Sequence, residues 1–379
     1  MRDPRLTKLA HLLVNYSASV RPGDLVLIRG AVTTEPLAME VYRAVLEARA
    51  HPHIRLFPDE ADELKLKLAD DDQLDFVDPL LMHEMERVDA LISFWGGRNT
   101  RHLSNTNPVR QARQNRARAP IMATLMKRSA LPAGSRGRLR WVGTQFPNDA
   151  AAQDAEMSLT EFEEFLYRAC LLNKSDPAAA WRRVSTAQQR LADYLQKGRE
   201  LRFVHRDGTD IRFGIAGRRW INCDGRHNIP DGEVFTGPTE DETEGVVQFR
   251  FPAVYGGREV HDVRLVFERG RVIDASAAKG EAFLIEMLDQ DLGARVVGEV
   301  AIGTNYHIRR HIRNTLFDEK IGGTFHLALG ASYPESGGRN KSSLHWDLVC
   351  DLQRGGRIEV DGKVISRDGR FVKSGWPRP

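Results

Sequence analysis

The regular alternation of strand-like and helix-like segments in the first half of the chain is the feature that most constrains its fold. Residues 25–28, 53–57 and 90–94 are short and apolar, which is typical of buried strands. Residues 6–15 and 35–49 have the spacing of amphipathic helices. Strands that alternate with helices usually pair in parallel, because each helix carries the chain back to the same end of the sheet. We therefore expect an N-terminal three-layer α/β domain with a mostly parallel sheet.

The second half has a different pattern. A helical region over residues 150–197, broken near Asp176 and Pro177, precedes a series of short strand-like segments. These segments cover residues 202–205, 210–213, 246–249, 263–267 and 272–273. A chain of 379 residues also exceeds the limit of about 250 to 300 residues for a single core. We expect an α/β domain over residues 1–185 and a β-rich α+β domain over residues 186–379.

Carboxylates, imidazoles and one phenol occur in unusually apolar surroundings in this β-rich half. The set is Glu233, Glu299, Glu319, His326, Tyr333, His345 and Asp347. Carboxylate and imidazole groups suit hard and borderline divalent metals. They exceed what one tetrahedral site uses, since structural zinc takes four ligands and catalytic zinc takes three plus water. The set therefore indicates a hydrolytic site with two metal ions in the 186–379 domain.

The local sequence around these residues supports this interpretation. His345 and Asp347 are two positions apart in a strand-like segment, so their side chains point to the same face. Glu233 and Glu299 each follow a glycine and precede apolar residues, where an unpaired carboxylate is costly and a cation is expected. Taken singly, either glutamate could instead form a buried salt bridge. His326 on its own could be an ordinary core histidine.

Four segments in the same order resemble the motifs of the thermophilic metallo-aminopeptidase family. The similar segments are Asn-Ile-Pro-Asp-Gly-Glu-Val-Phe-Thr at 228–236, Gly-Glu-Val-Ala-Ile-Gly at 298–303, residues 316–330 followed by Tyr333, and His-Trp-Asp at 345–347. The resemblance extends from about Val20 to the end of the chain and is strongest after Asn222. Four motifs in order make a chance match improbable.

The resemblance implies an activity and a role for each residue of the site. It implies a metal-dependent aminopeptidase that uses a two-metal-activated water to remove N-terminal residues from short peptides. The implied ligands of two divalent ions, whether zinc, cobalt, manganese or magnesium, are Glu233, Glu299, Glu319, His326, His345 and Asp347. Glu299 is the implied bridge and Tyr333 the implied donor to the tetrahedral intermediate. The resemblance also implies a homodimer.

Two other functions are consistent with part of the same residue set. His326, His345 and Asp347 alone would form the facial triad of a mononuclear non-haem iron dioxygenase that cleaves a dihydroxypyridine-type ring. Three further glutamates argue against it, because a single iron has no use for them. The second alternative is a non-catalytic binding protein stabilised by metal. The presence of Tyr333 beside every proposed ligand argues against that alternative.

Composition predicts where the protein works. No apolar segment approaches the roughly 18 residues of a membrane span, and the first residues lack the apolar run of a signal peptide. We therefore expect a cytoplasmic protein that does not contact membranes. Cys170, Cys223 and Cys350 are far apart and lack Cys-x-x-Cys spacing, so neither a disulfide framework nor a thiolate zinc site is indicated.

One segment is strongly basic although the net charge of the chain is only +3. Between Asp89 and Asp149 there are eleven lysines and arginines, from Arg98 to Arg140, and no acidic residue. The segment lacks the interleaved aromatic residues of a base-stacking surface, so we do not expect nucleic-acid binding. We expect it to face acidic residues of the second half, such as Glu240, across a domain or subunit interface.

Overall fold

The computed structural model describes residues 3–379. The chain forms two compact units. The first unit runs up to Ala178 and includes Gly225–Ile229, and the second comprises Ala179–Asp224 and Pro230–Pro379. The domain boundary predicted at residues 185 and 186 falls inside the helix Pro177–Leu195 and stays a prediction. Within residues 3–379, every helix is too short or too polar to cross a membrane.

The helices lie mainly in the first half of the chain. The α-helices are α1 (Pro4–His11), α2 (Glu35–Glu47), α3 (Asp59–Leu68), α4 (Asp71–Asp75), α5 (Pro79–Arg87), α6 (Pro108–Ser129), α7 (Asp149–Asp154), α8 (Leu159–Ala169), α9 (Pro177–Leu195), α10 (Glu281–Leu288) and α11 (Thr315–Asp318). A π-helical segment, Leu12–Ser17, follows α1, so the helix predicted over residues 6–15 changes its hydrogen-bond pattern halfway. Two 3₁₀ turns cover Val32–Thr34 and Pro334–Ser336.

The strands lie mainly in the second half of the chain. They are β1 (Leu25–Ala31), β2 (His51–Phe57), β3 (Ala90–Trp95), β4 (Arg140–Gln145), β5 (Glu200–His205), β6 (Asp210–Gly214), β7 (Ile221–Cys223), β8 (Asn228–Ile229), β9 (Glu233–Thr236), β10 (Thr243–Phe249), β11 (Ala253–Tyr255), β12 (Arg258–Val260), β13 (Val263–Glu268), β14 (Arg271–Ser276), β15 (Val297–Gly303), β16 (Thr324–Gly330), β17 (His345–Asp351), β18 (Gly356–Val360), β19 (Lys363–Arg367) and β20 (Arg370–Phe371).

The first unit is built on a parallel sheet of five strands in the order β2-β1-β3-β4-β8. Leu27 and Leu91 are register partners on β1 and β3, and they belong to one buried cluster with Met85 of α5 and Ile121 of α6. Both helices begin at a proline. The side chain of the preceding residue, an Asp before α5 and an Asn before α6, caps the helix N-terminus. The parallel α/β prediction for this half is confirmed.

The second unit contains antiparallel sheets, as the sequence predicts. The larger sheet has eight strands in the order β14-β13-β10-β6-β5-β18-β19-β20. The smaller sheet has five strands in the order β17-β16-β15-β9-β7, and β11 pairs with β12 in a separate ribbon. The ring of Phe203 on β5 stacks on that of Phe325 on β16 with centroids 4.0 Å apart. One face of the five-stranded sheet therefore packs in the main hydrophobic core of this unit.

The basic segment finds acidic partners in its own unit. Arg113 of α6 forms ion pairs with Asp71 and Asp75 of α4. Arg118 contacts Asp62 on α3 with an N–O distance of 2.7 Å. Acidic residues of the first unit therefore pair with part of this basic segment, and its expected position opposite acidic residues of the second half stays a prediction.

Candidate metal centre

Five of the six predicted ligands, all except Glu319, lie on the face of the five-stranded sheet that points away from the core of the second unit. In β16, Phe325 and Leu327 enter the core, so His326 between them faces the other way. In β17, Trp346 and Leu348 enter the core in the same manner, which turns Asp347 to the outer face. Alternation along neighbouring strands therefore places the functional groups on one surface.

Small residues make room between these groups. Ala301 of β15 is the register partner of His326, and Ala328 of β16 is the partner of Asp347. Both alanines are fully buried. A larger side chain at either position would occupy the space between the functional groups, because directly opposed side chains on a sheet lie only about 5 Å apart. The sheet surface is thus shaped by its small residues as well as by its ligands.

All six predicted ligands come together in this region. Glu233 starts β9, Glu299 follows a β-bulge in β15, and Glu319 is the C-cap of the short helix α11. The predicted ligands form two groups, and in each group three donor atoms lie within 4.8 Å of one another. The first group contains Glu233, Glu299 and His326, and the second contains Glu319, His326 and Asp347. The geometry brings together residues that are more than a hundred positions apart in the sequence.

Glu299 lies between the two imidazoles. Its Oε1 is 3.4 Å from Nε2 of His326, and its Oε2 is 3.8 Å from Nε2 of His345. Nε2 of His326 is also 3.4 Å from Oε2 of Glu233, and Nε2 of His345 is 3.7 Å from Oδ1 of Asp347. Each oxygen of Glu299 therefore faces a different subset of the other ligands.

The depth of the side chains changes steadily across the centre. The side chain of His326 is fully buried, whereas that of His345 is 29% exposed. Tyr333 is 45% exposed, and its ring lies edge-on to His345 with centroids 5.2 Å apart. The centre is therefore closed around His326 and reaches solvent on the side of His345 and Tyr333.

The electrostatics of the centre reflect a shortage of positive charge. Burial raises the pKa of Glu299, and it raises the pKa of Glu319 to about 8. Burial alone would lower the pKa of His326, but the hydrogen bond to Glu299 and the charge of Glu233 raise it to about 9. The protonated imidazole partly balances the negative charge of the neighbouring carboxylates. A bound metal cation would supply that positive charge instead.

Two buried atoms provide a separate test of whether a metal fits. Among residues 3–379, Oε2 of Glu233 and Nδ1 of His326 are buried and have no hydrogen-bond partner. An unsatisfied buried carboxylate oxygen is unfavourable by roughly 1 to 3 kcal/mol or more. Oε2 of Glu233 lies within the first group of donor atoms and faces His326. The donor set therefore fits divalent cations.

Hydrogen bonds around the centre orient its ligands. His345 donates from Nδ1 to the carbonyl of Ala331 at 2.9 Å, which leaves the lone pair of Nε2 directed at the carboxylates. Gln188 donates from Nε2 to the carbonyls of Cys223 and Glu233, both at 2.9 Å. The hydroxyl of Thr304 donates back to Gln188 at 3.1 Å. These contacts hold β9 in place relative to α9.

Tyr333 retains its proton over the whole physiological range. Desolvation and the negative charges of Glu299 and Asp347 raise the pKa of its phenol. A neutral phenol beside a group of carboxylates is a hydrogen-bond donor and cannot act as a base near neutral pH. The position fits the donor role that the sequence predicts, and that role stays a prediction.

Lys320 is a member of this site that the sequence analysis missed. Its side chain is 1% exposed, and Nζ lies 3.1 Å from Oε1 of Glu233 and in contact with Oε1 of Glu319. The only sequence signal is a lysine placed directly after a predicted ligand and before the apolar segment of β16. Cys223 also lies near Glu233, but burial raises the pKa of its thiol well above the ordinary value. That thiol is a poor ligand because the thiolate is the coordinating form.

Comparison with known structures separates the two enzyme classes. The 2,5-dihydroxypyridine dioxygenase of Pseudomonas putida aligns over 98% of this chain and 97% of its own with a TM-score of 0.60, at 14% identity. That likeness is one of fold alone. Wild-type AmpT from Thermus thermophilus aligns over 98% of this chain and 99% of its own with a TM-score of 0.84, at 25% identity.

Sequence comparison agrees with the structural similarity to AmpT. Aminopeptidase 2 of Geobacillus stearothermophilus is 28% identical over an alignment that covers 99% of this chain and 98% of that protein. Aminopeptidase T of Thermus thermophilus is 29% identical over 97% of this chain and 98% of its own. The family model described as thermophilic metalloprotease (M29) matches residues 2–371. The chain therefore belongs to the thermophilic metalloprotease (M29) family.

Proposed function

We propose that this metal-dependent aminopeptidase binds two divalent ions per chain and removes N-terminal residues from short peptides. The observation that carries the proposal is the position of Glu299, whose two oxygens face His326 and His345 separately. A carboxylate that faces two donor groups is suited to bridge two cations. Zinc, cobalt, manganese and magnesium all accept such ligands, with different affinities.

The six ligands divide into two sets around Glu299. Glu233 and His326 would hold one ion, and Glu319, His345 and Asp347 would hold the other. When bound, the ions supply Lewis acidity that polarises the scissile carbonyl and lowers the pKa of water. Metal ligation requires neutral imidazoles, and the contact of His345 with Ala331 already selects the tautomer with a free Nε2.

The exposed side of the centre would bind and orient the substrate. A free α-amino group in its neutral form could coordinate one of the ions, whereas an acylated one could not, so the centre favours substrates with a free N-terminus. The exposed side of the centre, at His345 and Tyr333, is where that end would enter. Tyr333 would donate a hydrogen bond to the carbonyl oxygen as negative charge develops there, a contact often worth about 2.7 to 4 kcal/mol.

Metal analysis combined with substrate tests examines this proposal directly. The protein is loaded in turn with zinc, cobalt, manganese and magnesium, and the ions bound per chain are counted by mass spectrometry. Hydrolysis of a panel of aminoacyl amides is measured beside their N-acetylated forms. We expect two ions per chain and cleavage of the free amines alone. One iron per chain with oxygen consumption would instead support the ring-cleaving dioxygenase.

We also propose that the protein is a homodimer that works in the cytoplasm. The family resemblance of its motifs supports the dimer, and the reduced thiols of Cys223 and Cys350 are typical of a reducing compartment. Light scattering after gel filtration should give a mass near twice the 42.7 kDa of one chain. Cell fractionation should recover the aminopeptidase activity with cytoplasmic markers.

A further inference from the structure

The ammonium group of Lys320 lies inside the candidate metal centre. Its side chain is 1% exposed, and Nζ contacts one carboxylate oxygen each of Glu233 and Glu319. Burial of an ammonium group is unfavourable unless negative groups compensate it, and here two carboxylates do. Lys320 is therefore tied electrostatically to the same residues that are proposed to bind metal.

Lys320 links the two ligand sets. Glu233 belongs to the group with Glu299, whereas Glu319 belongs to the group with Asp347, and His326 is common to both groups. Oε1 of Glu233 faces Lys320, while Oε2 of the same residue faces His326. The lysine thus uses one oxygen of Glu233 and leaves the other directed at the ligands.

The backbone holds Lys320 in this position. Its N–H donates to the carbonyl of Phe317 at 3.1 Å, and its own carbonyl accepts from the N–H of Asn305 at 2.9 Å. The residue directly before it, Glu319, is the C-cap of helix α11, and the residues after it lead into β16. With its backbone hydrogen-bonded on both sides and its side chain only 1% exposed, Lys320 is enclosed beside Glu233 and Glu319. Its charge therefore stays in the centre in both the metal-free and the metal-bound protein.

The charges of the centre show what this permanent cation does. Glu233, Glu299, Glu319 and Asp347 together carry four negative charges when ionised, and the buried carboxylate of Asp231 beside Glu233 adds a fifth. Two divalent ions would balance four of these charges, and the ammonium group of Lys320 would repel the ions at close range, where screening by water is weak. We propose that Lys320 is a positioning residue and a resident cation, which weakens divalent metal binding and holds Glu233 and Glu319 in place before metal arrives.

This inference rests on the proposed function, since it assumes that Glu233 and Glu319 bind metal. A purely structural salt bridge makes a different prediction. Loss of a structural contact would destabilise the metal-free and metal-loaded protein to a similar extent. Loss of a resident cation would destabilise mainly the metal-free protein, because the divalent ions replace its charge in the loaded form. By thermodynamic linkage, the variant must then bind metal more tightly than the wild type.

The test is chelator competition with zinc as the probe, started from zinc-loaded protein. The variant Lys320→Met removes the charge and keeps most of the side-chain volume, while Lys320→Arg keeps the charge. We expect Lys320→Met to lower the zinc dissociation constant at least tenfold and to lower the melting temperature of the metal-free form more than that of the loaded form. Lys320→Arg should bind zinc within about threefold of wild type.

Several results would overturn the inference. Equal or weaker zinc binding by Lys320→Met would do so, and so would failure of that variant to fold even with zinc present. If wild-type protein binds zinc and cleaves leucine amide while Lys320→Met binds zinc unchanged, only the role of Lys320 is wrong. If wild-type protein binds no divalent metal at all, the proposed function fails as well.

Discussion

The unusual feature of single residues at this centre is that their charged groups are buried. Glu299 carries a carboxylate whose oxygens face two imidazoles, and Lys320 carries an ammonium group with almost no contact with water. Both are charged groups in a buried sheet surface, where ordinary hydrophobic packing would exclude them. The proposed metal binding would account for the position of Glu299, and the neighbouring carboxylates account for that of Lys320.

Replacement of the bridging carboxylate should abolish catalysis without loss of the fold. In Glu299→Gln the side chain keeps its shape but loses its charge, so the two ligand sets lose their common anion. We expect hydrolysis of leucine amide to fall at least about a thousandfold, since several interactions act as one unit. Circular dichroism should match the wild type. Near-normal turnover would remove Glu299 from the mechanism, and Glu281→Gln, at an exposed position of helix α10, is the matched control.

Tyr333 should affect turnover more than metal binding. Tyr333→Phe removes one hydroxyl and keeps the ring that packs on His345. We expect kcat to fall about 100- to 1000-fold, which corresponds to the loss of one donor to a developing oxyanion. Metal content and KM should change little. A variant with normal kcat would show that the phenol serves packing alone.

At this scale, sequence reasoning singled out the six proposed ligands, which the fold brings close together, and missed the lysine. Glu299 stood out because a carboxylate between apolar residues needs a partner wherever it lies in the fold. Lys320 did not stand out, since lysines are usually solvated and its burial depends on Glu233, which is 87 positions earlier in the chain. Contacts of that kind become visible only when the strands are assembled.

At the scale of elements, the five-stranded sheet separates packing from chemistry. Alternate residues of β16 and β17 enter the core. The residues between them form the opposite face of the sheet, the metal face, which carries the proposed ligands of these two strands. The helical break predicted near Pro177 occurs at the start of α9, and the strand predicted around His345 is β17. Boundaries were predicted less well, since β1 continues to Ala31 rather than Ile28. Strand ends depend on pairing with neighbours, which local sequence does not record.

The small residues of the metal face should be as important as the ligands. Ala328→Leu would place a large side chain beside Asp347, its register partner on β17. We expect metal content to fall well below that of the wild type, with a loss of stability of about 1 to 3 kcal/mol from overpacking. Ala294→Leu, at a buried alanine of the main core, should cost similar stability and leave metal content unchanged. Equal metal loss in both variants would contradict the spacer role of Ala328.

Asp291 should stabilise the segment that leads into β17. It accepts hydrogen bonds from the N–H of Ser343 and from the hydroxyl of Ser342, both at 2.8 Å, and these bonds help to lower its pKa to about 2. Because the folded pKa lies below the ordinary 3.8, the stabilisation is present above about pH 4 and is lost as the pH falls towards 2. Asp291→Asn should lose about 1 kcal/mol at pH 7.

The pH dependence provides the control for Asp291. Urea unfolding of both proteins is measured with chelator present, so that metal binding does not contribute. The difference in unfolding free energy should shrink as the pH falls from 4 to 2, because the wild-type carboxyl becomes neutral like the amide. A difference that stays constant over that range would contradict the assigned role.

At the scale of the whole molecule, the proposed ligands all belong to the second unit. Glu233 to Asp347 lie within Pro230–Pro379, and the parallel sheet of the first unit contributes none of them. Composition and segment order were sufficient to predict the two kinds of architecture, because alternation and strand spacing are properties of long stretches. The short segment Gly225–Ile229, which joins the first unit through β8, was not predicted, since two residues of strand leave almost no pattern.

Removal of metal should therefore destabilise the second unit and leave the first unit unchanged. With chelator, we expect the melting temperature of the second unit to fall. A ligand present at a thousand times its dissociation constant stabilises the folded protein by about 4 kcal/mol, and the chelator removes that contribution. Hydrogen exchange should show the loss of protection in β9, β15, β16 and β17, while β1 and β3 keep theirs. Equal loss in both units would contradict a metal centre confined to the second unit.

The order of the ligands along the chain has a consequence for biosynthesis. The strands β10 to β14, which belong to the eight-stranded sheet, separate Glu233 on β9 from Glu299 on β15. His345 and Asp347 lie on β17, which follows every other element that carries a proposed ligand. A nascent polypeptide on the ribosome would thus lack two of the three residues proposed to hold the second ion until β17 is synthesised. On the proposed ligand set, proteolysis by a half-made enzyme would be avoided, because the chain could not become active before β17 emerges.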